Sequence, residues 1–496
     1  MYQVPHFING STVDATDRMS NIYHPATGEI AGQVSMADTS LISQTVAAAQ
    51  KAFLEWSKLS TQKRARLLFQ FRTVLESHID ELATLVTNEH GKTLDDARAS
   101  VQRGIEVVSY ACGISEHLLG NFSANIASST DNFSLRQPLG VCLGITPFNF
   151  PAMVPLWMFP LAIACGNTFI VKPSEKDPSC AVRIAQLASE AGVPDGVVNV
   201  LHGDGETVNA LLHHPDIRAV SFVGSTKVAE YVYQTAIQQG KRAQTFGGAK
   251  NHCIVMPDVE LDPVADSIVG AAYGSAGERC MAISVAILVG DKKFADEMSE
   301  KISARVKKLR IGPGNQKNID MGPLITREHR DNVCAWVEKG VQEGAKLIVD
   351  GRSFISKESP QGFYLGGCLF DDVDISMQVW REEIFGPVLC LMRAPDFNTA
   401  LHWVNQHLYG NGSAIFTRDA AIARAFYMQV QTGMVGVNIP IPVPVASHSF
   451  GGWKKSRFGD IHLFGSEGVQ FYTQLKTVMQ RWPETALTGS FHLPTH

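Results

Sequence analysis

Residues 137–171 include no side chain with a formal charge, and most of the run is apolar. Such a stretch must either cross a membrane or lie deep inside a large globular protein, and that choice decides the class of fold. Pro138, Pro147, Pro151, Pro155 and Pro160 divide the run, and Asn149 and Asn167 interrupt it. A lipid-facing helix has to satisfy its backbone internally, which these breaks prevent. The run therefore reads as a strand over 141–146, a loop, a helix over 155–165 and a strand over 168–171, all buried. A core of that kind needs a long chain, and 496 residues are enough for two or more domains.

The same rhythm continues on both sides. Upstream, Ile42, Val46, Ala49, Phe53 and Trp56 recur at helical spacing, predicting a helix over 39–57. Leu68, Phe71, Leu75, Ile79 and Leu82 predict one further helix stopping near Gly91, and Val101, Ile105, Val108 and Cys112 share a face of a third. Downstream come a helix over 181–191, a strand over 197–201, a helix over 207–213, a strand over 219–223 and a helix from Thr226 to about Gln239. Short strands alternating with helices imply βαβ units and a mostly parallel sheet. A second alternation begins near Ile254, so two α/β halves should meet near residue 250. Residues 133–136 read as a strand leaving the body, 470–479 as a last strand, and the final dozen residues as loose.

Composition narrows the function. Charged residues make up 18% and hydrophobic ones 45%, with a formal net charge of −5 and no basic block, which disfavours nucleic acid as a partner. The nine cysteines show no paired spacing and no Cys/His cluster, so neither a disulfide framework nor a metal site is indicated. The N-terminus lacks a basic segment followed by an apolar core, so no export signal is visible and a reducing cytoplasm is expected.

In parallel sheets ligands bind beyond the carboxyl ends of the strands. Those ends read Asn149, then Lys172, Ser174 and Glu175, then Gly203 and Gly205, then Gly224 and Ser225. Lysine, hydroxyls and a free helix N-terminus after Gly224-Ser225-Thr226 suit a phosphate, and a carboxylate at Glu175 suits a ribose diol. The GxGxxG fingerprint is absent, so a generic α/β sheet stays open as the alternative. In the second half, Cys280 follows the small residues Gly274, Ser275, Ala276 and Gly277 and sits beside Arg279. Small neighbours leave a carbonyl carbon room to approach a thiolate, and an adjacent guanidinium favours the thiolate form. A buried structural cysteine is the competing reading. Arg103, three residues before Glu106, reads from spacing alone as a surface ion pair. Glu383 and Phe385 stand in a charged loop before a strand.

Taken together, PFNFP (147–151), VKPSE (171–175), FVGST (222–226), GERC (277–280), EEIFGPV (382–388) and FGGWKKS (450–456) resemble the aldehyde dehydrogenase superfamily over nearly the whole chain. Within it, RGIEVV (103–108), GAKNH (248–252) and GERCMA (277–282) resemble the CoA-acylating methylmalonate-semialdehyde dehydrogenases. The resemblance implies an aldehyde dehydrogenase-like α/β fold. It has a Rossmann-type cofactor domain (1–122 and 142–252), an α/β catalytic domain (253–455) and a small β oligomerisation arm with the tail (123–141 and 456–496). It implies Cys280 as the nucleophile and Asn149 as the amide that shares the oxyanion with the backbone N–H of Cys280. NAD would be held by Phe148, Lys172, Ser174, Glu175, Gly224, Ser225, Glu383 and Phe385, and the substrate carboxylate by Arg103 and Arg279. That assignment displaces the ion-pair reading of Arg103.

The departure is Phe246, which aligns with the glutamate that serves as general base in hydrolytic relatives. A phenyl ring cannot take a proton from water, so the thiol of coenzyme A is the expected acceptor of the acyl group. Acylating relatives usually carry a small polar residue there. Glu278, where relatives often have glutamine, is the other carboxylate considered as a base. The implied reaction is NAD-dependent oxidative decarboxylation and CoA acylation of malonate or methylmalonate semialdehyde, as in valine catabolism, by a cytoplasmic homo-oligomer, a dimer or homotetramer. The alternatives are a hydrolytic aldehyde dehydrogenase and a catalytically silent binding protein on the same fold.

Overall fold

The structure is a computed structural model and describes residues 1–14 and 18–482. The uncharged run forms the strand Val141–Ile145, the helix Met153–Ala164 and the strand Thr168–Lys172. Every residue of that helix is buried, which explains why its sequence shows no polar face. Among the described residues no helix is long and apolar enough to cross a membrane.

Around this centre lies an eight-stranded sheet. Its order is Arg457–Phe458, Arg242–Phe246, Ile217–Val223, Val141–Ile145, Thr168–Lys172, Val198–Val200, His6–Ile8 and Ser11–Val13. The five central strands are parallel and the flanking ones antiparallel. The chain builds outward from Val141–Ile145 in one direction, then returns to place Ile217–Val223 on its other side. That makes a topological switch point between the two strands, where a crevice opens at their carboxyl ends. Asn149 follows one of these ends and Gly224-Ser225 the other.

The second sheet has seven strands in the order Lys346–Val349, Cys368–Asp371, Val388–Ala394, Ile283–Val289, Asn251–Val255, Gly412–Phe416 and Met434–Val437, parallel except for the first. Cys280 lies just before Ile283–Val289, and Glu383 and Phe385 just before Val388–Ala394. The amino edge of this sheet thus meets the carboxyl edge of the first. A third, antiparallel sheet joins Phe122–Ala127, Thr130–Pro138 and Thr473–Arg481.

Several local expectations are corrected. The long second helix is two helices, Thr61–Ser77 and Ile79–His90, because His78 leaves the helical region at φ −113°, ψ 16°. Residues 457–458 extend the edge of the first sheet, Phe464, Val469 and Phe471 pack in the core that also holds the helix Met153–Ala164, and the chain joins the third sheet only from Thr473. The last strand is preceded by a short helix, Gly465–Phe471. The strands of residues 2–35 escaped the reading because three of them have only three residues and the longer Met19–His24 and Glu29–Ser35 lack a regular apolar alternation. The expectation of a loose final dozen residues falls outside the described ones.

Candidate active site

The helix Leu261–Tyr273 ends in a turn, Gly274–Gly277, that takes three consecutive left-handed residues: Ser275 at φ 51°, Ala276 at φ 52° and Gly277 at φ 73°. For Ser275 and Ala276 this costs about 1–2 kcal/mol each, so other contacts must hold the turn. Asp96 does so. One carboxylate oxygen accepts the Ser275 N–H at 3.1 Å and its hydroxyl at 3.4 Å, and the other accepts Arg279 Nη2 at 2.6 Å. Gly277 has no room for a side chain, since a Cβ there would stand 2.1 Å from the Gly386 carbonyl oxygen. The loops bearing Cys280 and Glu383 are locked together at that point. Beyond the turn, the Cys280 carbonyl accepts from the side-chain amides of Asn251 at 2.9 Å and Asn411 at 3.1 Å.

The thiol of Cys280 is half-buried at the wall of a large cleft. Burial raises its pKa, the Glu383 carboxylate raises it further, and Lys92 and Arg279 pull the other way. The expected influence of Arg279 on the thiolate has the right sign, but burial outweighs it. Asn149, 4% exposed, donates from Nδ2 to the Glu278 carbonyl at 3.1 Å. An amide carries two N–H groups, so one remains for a ligand oxygen. The Glu278 side chain turns the other way and is fully buried. It accepts the Ile325 N–H at 3.2 Å and lies 3.6 Å from His90 Nε2 and 3.5 Å from His329 Nε2. Burial pushes its carboxyl up to about 8, and it is not part of the cleft wall.

The cleft measures about 1150 Å³ and runs along the switch point of the first sheet. Phe148, Asn149, Lys172, Ser174, Glu175, Gly224, Ser225, Cys280, Glu383 and Phe385 all line it, so ten sequence-predicted residues converge on one space. At one end Lys172 lies 3.3 Å from Glu175, with the ammonium buried and the carboxylate more exposed. Ser174 accepts the Lys176 N–H at 3.1 Å. In the middle, the helix Thr226–Gln238 starts from Ser225 without a side-chain cap, leaving first-turn N–H groups for an anion. At the other end Glu383 accepts the Ala249 N–H at 2.9 Å, and burial lifts its carboxyl to about 7. A Cβ on Gly248 would lie 2.4 Å from Glu383 Oε2, so the glycine makes space for the carboxylate. Phe385, at φ 57°, stands perpendicular to Phe148 with 5.8 Å between ring centroids. Two carboxylates at the ends and a helix N-terminus between them match the two ribose diols and pyrophosphate of a dinucleotide.

The two arginines stand apart from this cleft. Arg103 pairs with Glu106 at 2.8 Å on a partly exposed helix face, and Arg279 pairs with Asp96. Asp96 and Arg103 are seven residues apart on the helix Leu94–Cys112, hence on one face and about 10 Å apart along its axis. Phe246 is 3% exposed and belongs to the first core, while its neighbours Gly247 and Gly248 line the cleft. Sequence reasoning missed Lys92, His90, His329, Asp96 and Asn411. Each is a common residue type in an unremarkable setting, and only folding brings it to the site.

Among the described residues no cluster of His, Cys, Asp or Glu is placed to hold a metal ion. The model of the aldehyde dehydrogenase family matches residues 12–478. A malonate-semialdehyde dehydrogenase of Pseudomonas aeruginosa is 51% identical over 97% of both chains. The acylating mitochondrial methylmalonate-semialdehyde dehydrogenase of Arabidopsis thaliana is 43% identical over 99% of this chain and 81% of its own. Among solved structures, a proposed methylmalonate-semialdehyde dehydrogenase of Sinorhizobium meliloti complexed with NAD superposes with a TM-score of 0.97. It is 50% identical over 98% of this chain and 99% of its own. With a cysteine at the rim of a dinucleotide-shaped cleft and a match over nearly its full length, the chain belongs to the aldehyde dehydrogenase family.

Proposed function

We propose that this protein is an NAD-dependent, CoA-acylating dehydrogenase of malonate and methylmalonate semialdehydes. The observation that carries the acylating reading is Phe246: where a water-activating base would stand, a phenyl ring is packed into the core. Glu175 and Glu383 are proposed to accept from the two riboses, Lys172 and Ser174 to flank the first of them, and Gly224 and Ser225 to face the pyrophosphate. Phe148 and Phe385 would wall the nicotinamide end. NAD, when bound, supplies the hydride acceptor.

The chain's own groups then act as follows. The Cys280 thiolate attacks the aldehyde carbon, and the free N–H of Asn149 with the Cys280 N–H steadies the oxyanion. Loss of hydride from that carbon leaves a thioester on Cys280. Its carbonyl is the electron sink that lets the 3-carboxylate depart as carbon dioxide, with a proton taken up at the α-carbon. The thiolate of coenzyme A displaces Cys280 and carries away acetyl-CoA or propionyl-CoA. Arg103, on the helix Leu94–Cys112, and Arg279, paired with Asp96 of the same helix, are proposed to hold the carboxylate, exchanging Glu106 and Asp96 for the substrate. The chain is proposed to divide at residue 253 into a cofactor domain and a catalytic domain, with Asn149 of the first and Glu383 and Phe385 of the second meeting in one cleft.

The three-stranded arm exposes Phe122, Ile126, Leu475 and Met479, and we propose that it pairs subunits of a cytoplasmic homo-oligomer serving valine breakdown. The test follows NADH from malonate semialdehyde with and without coenzyme A and identifies the product by mass. Sustained turnover to acetyl-CoA only with coenzyme A is expected. Rapid turnover to a free acid without it would place the protein with the hydrolytic enzymes.

A further inference from the structure

Lys92 is 1% exposed, and desolvating an ammonium is costly unless the protein supplies partners. Its Nζ donates to the main-chain oxygen of Asn149 at 2.5 Å and stands 4.2 Å from the centroid of the Phe150 ring. Burial pulls its pKa down to about 8; Asp96 pulls it back up, Arg279 lowers it further, and the carboxyls of Glu278 and Asp177 act in the same direction as Asp96. Asn149 is therefore held at both ends. Lys92 grips its carbonyl, and the Glu278 carbonyl takes one N–H of its side-chain amide at 3.1 Å. Because the amide is planar, engaging one N–H sets the direction of the other.

We propose that Lys92 is a positioning residue for the acylation step: it fixes Asn149 so that its free N–H meets the oxyanion, and its charge favours the Cys280 thiolate. The proposal rests on the reading of Asn149 as the oxyanion donor. Geometry places Lys92 against the main chain of Asn149, and its field acts on the thiol against burial and Glu383. A sulfur that must ionise in a partly buried wall gains more from a desolvated cation than from a hydrated one.

The test compares Lys92→Met, Lys92→Gln and Asn149→Ala with the double variant Lys92→Met/Asn149→Ala. The readouts are the pre-steady-state rate of NADH formation, NAD affinity, and the pH profile of Cys280 alkylation by iodoacetamide. Lys92→Met should slow the burst by about 100-fold, the scale for a misplaced catalytic donor, with NAD affinity within about 3-fold. Its alkylation profile should move to higher pH, because a nearby cation is gone. In the Asn149→Ala background the same change should slow the burst by less than about 5-fold, since the positioning effect acts through that amide and only the effect of the charge on the thiolate remains. Lys92→Gln keeps an N–H donor without the charge, so it should recover part of the burst while the alkylation profile stays shifted. Should Lys92→Met not fold, Lys92→Gln decides. A burst within about 3-fold of the parent and an unmoved alkylation profile overturn the proposal, as do losses that multiply in the double variant. A parent enzyme that makes no NADH from malonate semialdehyde with coenzyme A refutes the functional reading instead, and alkylation still tests Lys92.

Discussion

Gly248→Ala adds one methyl group to the cleft wall beside Glu383. Gly248 does not sit at positive φ, so the backbone accepts alanine without strain. The new Cβ would stand 2.4 Å from Glu383 Oε2 and 2.9 Å from Thr226 Oγ1. Carbon and oxygen come to rest nearer 3.5 Å, so the carboxylate must retreat by about 1 Å. Thr226 is tied by the Gly248 N–H at 2.8 Å and by Tyr409 at 3.2 Å, whereas Glu383 is the end of a flexible chain and gives way. Folding should therefore lose no more than about 1 kcal/mol. Binding should lose more, because a hydrogen bond to a charged group is worth about 1.5–3 kcal/mol. If Glu383 holds a ribose of NAD, affinity should fall by about 10- to 150-fold. Calorimetric titration of NAD alongside thermal unfolding reads both effects. NAD affinity within about 3-fold of the parent would remove Glu383 from the ribose, and a joint collapse of affinity and Tm would show that the methyl group damages the fold.

Other changes probe the rest of the site. Glu383→Gln removes a charge that raises the Cys280 pKa, so iodoacetamide should alkylate the thiol faster at neutral pH even as NAD binds more weakly; an unmoved pH profile would refute that coupling. Glu175→Gln should narrow the preference for NAD over NADP, since a carboxylate repels a 2′-phosphate, and steady-state constants for both cofactors measure it. Arg103→Leu should cost semialdehydes bearing a carboxylate about 2–5 kcal/mol in kcat/KM while sparing propanal. Equal losses on both substrates would make Arg103 structural.

The uncharged run, the strand and helix periods and the small-residue approach to Cys280 were legible in the sequence. They depend on local spacing, which a chain carries whether or not it is folded. The α/β class follows from that information, whereas the full set of cleft residues and the absence of a base at Phe246 were legible only through the resemblance to the aldehyde dehydrogenase superfamily. The course of the chain across the first sheet was not legible. Only strand order 198–200, 168–172, 141–145, 217–223 creates the switch point where the cleft opens. The helix break at His78, the left-handed turn at Ser275 and Ala276 and the return of the chain to the third sheet only at Thr473 also needed tertiary contacts. Asp96 stabilises that turn from 179 residues away, and no local propensity encodes such a partner. Lys92 is the clearest case: a lysine after glycine reads as surface, and only the approach of Asn149, 57 residues on, makes it a buried cation. A charge is hydrated until the fold removes the water, so its role is decided by what surrounds it.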